Sequence, residues 1–171
     1  MDTASLLLVR DLMTVGVATC SPETPVSEVA RLLLEKGLEA VAVIDPDDGH
    51  ALGVVSQEEL LKAYPRPEAG SLKAEEVMQD HVPQVPADIP LTAAAQIMGD
   101  LGVRSLFVMH LSGGIEYPVS VISYQHILRH LAARSEEELT DLGIHADRQS
   151  PLEAFIQRRE AARTKNRSCQ L

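Results

Sequence analysis

Apolar residues recur along this chain at two periods. Val26, Val29, Ala30, Leu33 and Leu34 follow at i, i+3, i+4, i+7 and i+8, the stripe of an amphipathic helix, and Gly37 supplies its stop. Thr24 reads as the N-cap and Pro25 as the first helical residue, because a missing N–H costs nothing there. Val17 to Cys20, just upstream, is a short apolar strand ended by Ser21-Pro22. Ala40 to Ile44 and Leu52 to Val55 are rich in β-branched residues and flank Asp45-Pro46-Asp47-Asp48-Gly49, whose residue types favour a tight turn, so the two runs are expected to pair as a hairpin. Ser56 then opens a helix to about Tyr64.

The same order of elements returns in the second half. Asp11-Leu12-Met13 finds Glu76-Val77-Met78 at an offset of 65. With that offset Pro25 falls on Pro90, Val26 on Leu91, Ala30 on Ala95, Leu33 on Met98, Gly37 on Gly102 and Val43 on Val108. Two extra residues then enter one loop, after which Ser56 matches Ser123 and Leu61 matches Leu128. The second half therefore predicts a strand at Val82 to Val85, a helix at Leu91 to Leu101, strands at Ser105 to Leu111 and Tyr117 to Ile122, and a helix from Ser123 to about Ala133. The resulting division is a first repeat over 1–64, a linker over 65–73, a second repeat over 74–134 and a helical tail over 135–171. A half of roughly 60 residues buries its sheet and helices poorly alone, so the two halves are expected to pack together. The class that follows is α/β (α+β): tandem βαββα repeats around a pseudo-twofold axis, with a cleft between them and C-terminal helices beyond.

Composition narrows the functions. Apolar residues make up 45% of the chain and the formal charge is −10, so a folded body is expected and a phosphate-backbone surface is not; nucleic acid is not an expected partner. No apolar run approaches the roughly 20 residues of a membrane helix. Two cysteines, Cys20 and Cys169, give neither a disulfide framework nor a zinc spacing, which fits a reducing cytoplasm.

Catalytic chemistry finds little support in the residues. His126 and His130 stand at i, i+4 on a helix, but the stretch His126-Ile127-Leu128-Arg129-His130 lacks the glutamate of the zinc-protease pattern and no third ligand is evident, so no metal is expected. Cys20 lies on an apolar strand without a base beside it. No phosphate loop, nucleophile elbow or carboxylate pair appears, and the chain is not expected to be an enzyme. Ser56-Gln57-Glu58-Glu59 is a capping box at a helix start, a role that needs no ligand.

Across about Val9 to Leu131 the chain resembles a pair of CBS (cystathionine-β-synthase) domains. The likeness is carried by Asp11-Leu12-Met13, by the helix entry Pro22-Glu23-Thr24-Pro25-Val26, by Lys36 to Val43, and by Gly53-Val54-Val55-Ser56-Gln57-Glu58-Glu59-Leu60-Leu61. It implies a disc-forming regulatory module that stands alone here. Such a module binds AMP, ADP, ATP, S-adenosylmethionine or NAD between its halves and acts on a regulated partner as a homodimer. No cofactor is obligatory, and AMP is the first expectation, since Gln57 and Glu58 suit a polyphosphate poorly.

The family's Gly-apolar-x-Ser/Thr-x-x-Asp stretch directs its hydroxyl to phosphate and its carboxylate to ribose, which the resemblance carries onto Gly53, Val54, Ser56 and Glu59. Capping alone and capping with ligand contact both remain open for this pair. The second copy, Ser120, Ser123 and His126, departs further, because a neutral imidazole accepts a single hydrogen bond; the first site is ranked ahead of it. Arg104 matches Glu39, at a position where a base helps hold phosphate in the family or is otherwise a solvated strand-end charge. Val17, Ala42, Val82 and Leu106 are the expected walls of an aliphatic adenine pocket.

The tail carries five basic residues from Pro151 onward against two acidic ones. Capping boxes at Ser135/Glu138 and Ser150/Glu153 predict two more helices, the second with Leu152, Phe155 and Ile156 on one side. That side needs a surface, either on this module, on a sister subunit or on a regulated target. Disorder is expected from about Lys165.

Overall fold

The computed structural model describes residues 7–135 and Glu138. The chain opens with a short helix α1 (Val9–Leu12) and strands β1 (Thr14–Val15) and β2 (Thr19–Cys20). Helix α2 (Val26–Lys36), strands β3 (Ala40–Ile44) and β4 (Ala51–Ser56) and helix α3 (Gln57–Ala63) complete the first repeat. Two 3₁₀ turns, Ala69–Ser71 and Ala74–Glu76, lead to α4 (Leu91–Leu101), β5 (Ser105–Ser112), β6 (Ile115–Ser123) and α5 (Tyr124–Ala132).

Two three-stranded sheets result, ordered β2-β3-β4 and β1-β6-β5. The first strand of the chain thus belongs to the second repeat's sheet, where Thr14 lies opposite Val121. The reciprocal exchange is present: Gln79, 65 residues after Thr14, bridges Val54 on β4 through Val54 N–H to Gln79 O at 3.1 Å and Gln79 N–H to Val54 O at 2.9 Å. Further pairings repeat in the same way. Leu8 bridges Pro90 as Lys73 bridges Pro25, and Gln84 pairs in parallel with Phe107 as Thr19 does with Ala42. Both hairpins change register at equivalent points, after Val43 and after Val108. Each repeat therefore lends its opening arm to the other.

The cores follow this exchange. Val29, Leu33, Val41, Val43 and Val55 pack with Ala74, Val77 and Met78, which precede the second repeat's helix. Val9 and Leu12 pack with Leu91, Ala94, Met98, Leu106 and Ile122. A third cluster of Ala42, Val54 and Phe107 joins the sheets face to face, with Val17, Val82 and Val121 at its margin. Gly53 sits where the arm crosses: a Cβ there would stand 2.0 Å from the carbonyl oxygen of Gln79.

Several expectations are corrected in detail. Pro25 occupies the cap itself (φ −62°, ψ 142°), the helix starts at Val26, and no side chain caps it. Thr24 instead accepts from the Ser21 N–H at 3.1 Å. The Val26 N–H donates to Leu72 O at 2.7 Å and the Leu91 N–H to Leu7 O at 2.8 Å, so exchanged backbone does what a serine cap would. The strand expected at 17–20 shortens to Thr19–Cys20, and Val82 to Val85 makes a single bridge, since Pro83 and Pro86 have no N–H for a ladder. The second hairpin closes on Gly113 and Gly114, both at positive φ (61° and 85°), as a two-residue turn of the twist-matching type requires. Of the tail, Arg134 N–H donates to Glu138 Oε2 at 2.7 Å and Glu138 N–H to Ser135 Oγ at 3.3 Å; the helix assigned to Leu152, Phe155 and Ile156 lies outside the described residues.

Candidate functional site

Each repeat ends its hairpin at a serine that starts a helix, and each serine is answered from the third helical position. Ser56 N–H donates to Glu59 Oε2 at 3.2 Å, and the Ser56 hydroxyl donates to the same oxygen. Glu58 N–H donates to Ser56 Oγ at 3.1 Å. The exchanged arm completes the corner, with Gln79 Nε2 donating to Glu59 Oε1 at 2.8 Å and Lys62 Nζ 3.6 Å from that oxygen. Glu59 is only 5% exposed. Burial pushes its carboxyl up, but donors from Ser56, Gln79 and the backbone outweigh it and leave the group below the usual carboxylate range.

The second corner uses the same positions with different atoms. Ser123 N–H donates to His126 Nδ1 at 3.0 Å, so the ring proton sits on Nε2, which lies 2.8 Å from Thr14 Oγ1. Thr14 is the repeat equivalent of Gln79. Burial, and then the charge of Arg129, push His126 down to about 4, so the imidazole is neutral across the physiological range. Its one acceptor and one donor are both engaged.

The two corners open onto different clefts. The first, lined by Val54, Ser56, Glu59, Gln79 and Arg104, holds only about 30 Å³ and also gathers Glu39 and Glu58. The second holds about 280 Å³ between Thr14, Val17, Phe107, Ser123 and His126, with Lys36 and Arg129 at its edge and Glu39 in its wall. Glu39 and Arg104, equivalent residues of the two repeats, meet between them: Arg104 Nη1 stands 3.9 Å from Glu39 Oε2. That oxygen is buried and accepts no hydrogen bond from the described residues.

The structure thus brings Val54, Ser56, Glu59 and Arg104 to one cleft and Val17, Ser123 and His126 to the other. Ala42 and Val82 pack between the sheets beside both. Leu106 faces the second helical core instead, because successive residues of a strand point to opposite faces and Ala42 is matched by Phe107, one position on. Thr14, Gln79 and Phe107 went unnoticed in the sequence, where Glu39 was read only as the repeat equivalent of Arg104. The 65-residue offset alone would have paired the first two. Cys20 is half-buried, its thiol pushed up to about 11 by burial. Among the described residues no three His, Cys, Asp or Glu side chains gather as a metal site, and no helix is long and apolar enough to cross a membrane.

A family model described as the CBS domain matches residues 9–66 and again residues 74–133. An uncharacterised protein of Methanopyrus kandleri is 29% identical over 59 residues, which is 34% of this chain and 30% of that relative, so the match spans less than a third of the relative's length. Among solved structures, an uncharacterised conserved protein from Pyrococcus horikoshii superposes with a TM-score of 0.65 at 20% identity, covering 80% of this chain and 98% of that one. A CBS-domain containing protein from Agrobacterium tumefaciens gives 0.64 at 22% identity over 75% of this chain and 96% of its own. The CBS domain pair of protein MJ0100, crystallised with 5′-methylthioadenosine and S-adenosyl-L-methionine, gives 0.64 at 18% identity over 76% and 99%. At these identities the structures establish the fold.

Proposed function

The chain belongs to the CBS domain family, and from that premise we propose that it is a regulatory module that binds an adenosine-containing ligand, AMP foremost, between its repeats and alters its association with a partner protein as the site fills. The observation that carries this reading is the second cleft. At about 280 Å³ it approaches the size of a nucleotide pocket, and it sets the cations Lys36 and Arg129 beside an apolar wall of Val17 and Phe107. A base would lie on that wall and a single phosphate toward the cations. The first cleft, with Glu39, Glu58 and Glu59 against Arg104, suits phosphate poorly and is an order of magnitude smaller. This reading reverses the order the sequence suggested, on volume and charge. The adenosyl compounds in the MJ0100 domain pair support the ligand class.

A homodimer is part of the proposal. Leu34 (83% exposed) on α2, Leu61 on α3 and Tyr64 just after it, and Leu101, Leu128 and Leu131 on α4 and α5, put apolar surface on the helical side of both repeats. The regulated partner and a cytoplasmic setting belong to the same reading, with ligand sensing rather than catalysis as the activity.

One observation favours a second reading, a structural dimerisation module without a ligand: both serine corners are complete from the chain's own atoms. A thermal-melt series with AMP, ADP, ATP, S-adenosylmethionine and NAD separates the two. Binding at about a hundred times the dissociation constant adds about 2.7 kcal/mol, a rise of roughly 5 to 10 °C for a chain of this size. The expected result is a rise of that order with AMP, lost in Arg129→Ala and kept in Ser56→Ala. No rise with any compound at millimolar concentration leaves the dimerisation module.

A further inference from the structure

At the position equivalent to Glu59 the second cleft carries no carboxylate. Position 126 is a histidine whose acceptor is taken by Ser123 and whose donor faces Thr14. A ligand hydroxyl offered to it would meet neither a free lone pair nor a free N–H. The same cleft contains a carboxylate from the other repeat. Glu39 stands at the entry to β3, its side chain 12% exposed, and its Oε2 is buried without a hydrogen bond from the described residues. Arg104, on a side chain 62% exposed, reaches only to 3.9 Å. A buried carboxylate oxygen left in this state is unfavourable until a donor reaches it.

We propose that Glu39 replaces position 126 as the ligand-binding carboxylate of the second cleft, accepting the hydroxyls of a ribose while Lys36 and Arg129 take the anionic end of the same molecule. The inference rests on the reading that this cleft holds an adenosine-containing ligand, and adds which residue selects it and in which direction the ligand lies. Carboxylate and cations separate the two ends chemically: hydroxyl donors satisfy Glu39, whereas a phosphate beside it would be repelled. Because Glu39 also lines the first cleft, its engagement by a ligand in the second withdraws the same oxygen from the first.

Titration calorimetry of the full chain with AMP and with 2′-deoxy-AMP, on the wild type and on Glu39→Gln, tests this. The wild type is expected to bind AMP about tenfold or more tightly than 2′-deoxy-AMP, the usual loss for a hydrogen bond to a charged group. Glu39→Gln is expected to lose a similar factor for AMP and to discriminate little between the two ligands, as a coupled pair requires. The variant is near-isosteric, so its unliganded melting temperature is expected close to that of the wild type. Wild-type indifference to the missing hydroxyl overturns the proposal, independently of the variant, as does an undiminished preference in Glu39→Gln. If AMP binds in either case, the sensor reading survives. If the wild type binds neither ligand, both fall.

Discussion

The two serine corners share a backbone and differ in chemistry. At Ser56 the answering group is a carboxylate with four donors or cations around it, held ionised; at Ser123 it is a neutral imidazole closed on both nitrogens. One corner opens onto about 30 Å³ walled by acids, the other onto about 280 Å³ edged by cations. A capping box requires only an acceptor at the third helical position, and glutamate and histidine both provide one. Duplicated frames therefore constrain geometry strongly and side-chain identity weakly, which leaves one cleft free to diverge from the other.

The deepest asymmetry lies between the sheets, where Phe107 faces Ala42 across the pseudo-twofold axis. Phe107→Ala is expected to cost about 3–5 kcal/mol in urea denaturation, while Ala42→Gly costs about 1 kcal/mol. Equal costs would mean that the sheets are not packed around the single ring. The next effect is at Gly53. A methyl group there would meet the Gln79 carbonyl at 2.0 Å, and that atom is backbone, so Gly53→Ala is expected to cost about 3 kcal/mol and to loosen the Gln79 side chain from Glu59. Its counterpart, Ser120, already carries a side chain, so Ser120→Ala is expected to cost far less. If Gly53→Ala melts with the wild type, the arm does not press on β4 as described.

These pairs also mark what the sequence could disclose. Both long helices and both hairpins were legible, because Val26 to Leu34 and the β-branched runs carry their own period and Gly37 its own stop. The exchange of arms was not. Nothing local to Asp11 or Glu76 records which repeat their neighbours pack on, and the strand at Thr14 is made by a partner more than a hundred residues away. Leu106, Phe107 and Val108 are all apolar because this strand is covered on both faces, so alternation could not choose between Leu106 and Phe107 as the inward residue. In the site, the serines and their answering residues were visible as spacing, whereas Glu39 emerges only when both clefts are seen to share it.

Acid separates the corners further. His126 is held at about 4 against an ordinary value of 6.5, so the unfolded chain binds the proton first. Its contribution is complete above pH 6.5 and is lost as the pH falls through about 4. At pH 5 the loss is about 2 kcal/mol. His126→Gln keeps an acceptor for Ser123 and a donor toward Thr14 without the titration, so the stability difference between wild type and variant is expected to shrink or reverse by about 2 kcal/mol between pH 7 and pH 5. Glu59, shifted in the opposite chemical sense, is ionised when folded and contributes fully above its ordinary 4.5, with loss only below it. Parallel pH curves for wild type and His126→Gln would remove the neutral-imidazole account of the second corner while leaving the first untouched.

The smallest expected effect tests whether the frame itself is symmetric. Arg10 pairs with Asp88 and Lys73 pairs with Glu23, and Glu23 and Asp88 are repeat equivalents, so each exchanged arm is tied to the approach of the other repeat's helix by one ion pair. All four side chains are substantially exposed, and such pairs gain little in water once the ordering of two side chains is counted. Arg10→Ala and Lys73→Ala are each expected to melt indistinguishably from the wild type at about 0.15 M salt. At about 0.01 M, where screening extends to about 30 Å, both are expected to fall slightly and by the same amount. Unequal losses would place part of the molecule's asymmetry in the arms; equal ones would confine it to the clefts, where Glu59, His126 and the shared Glu39 already account for it.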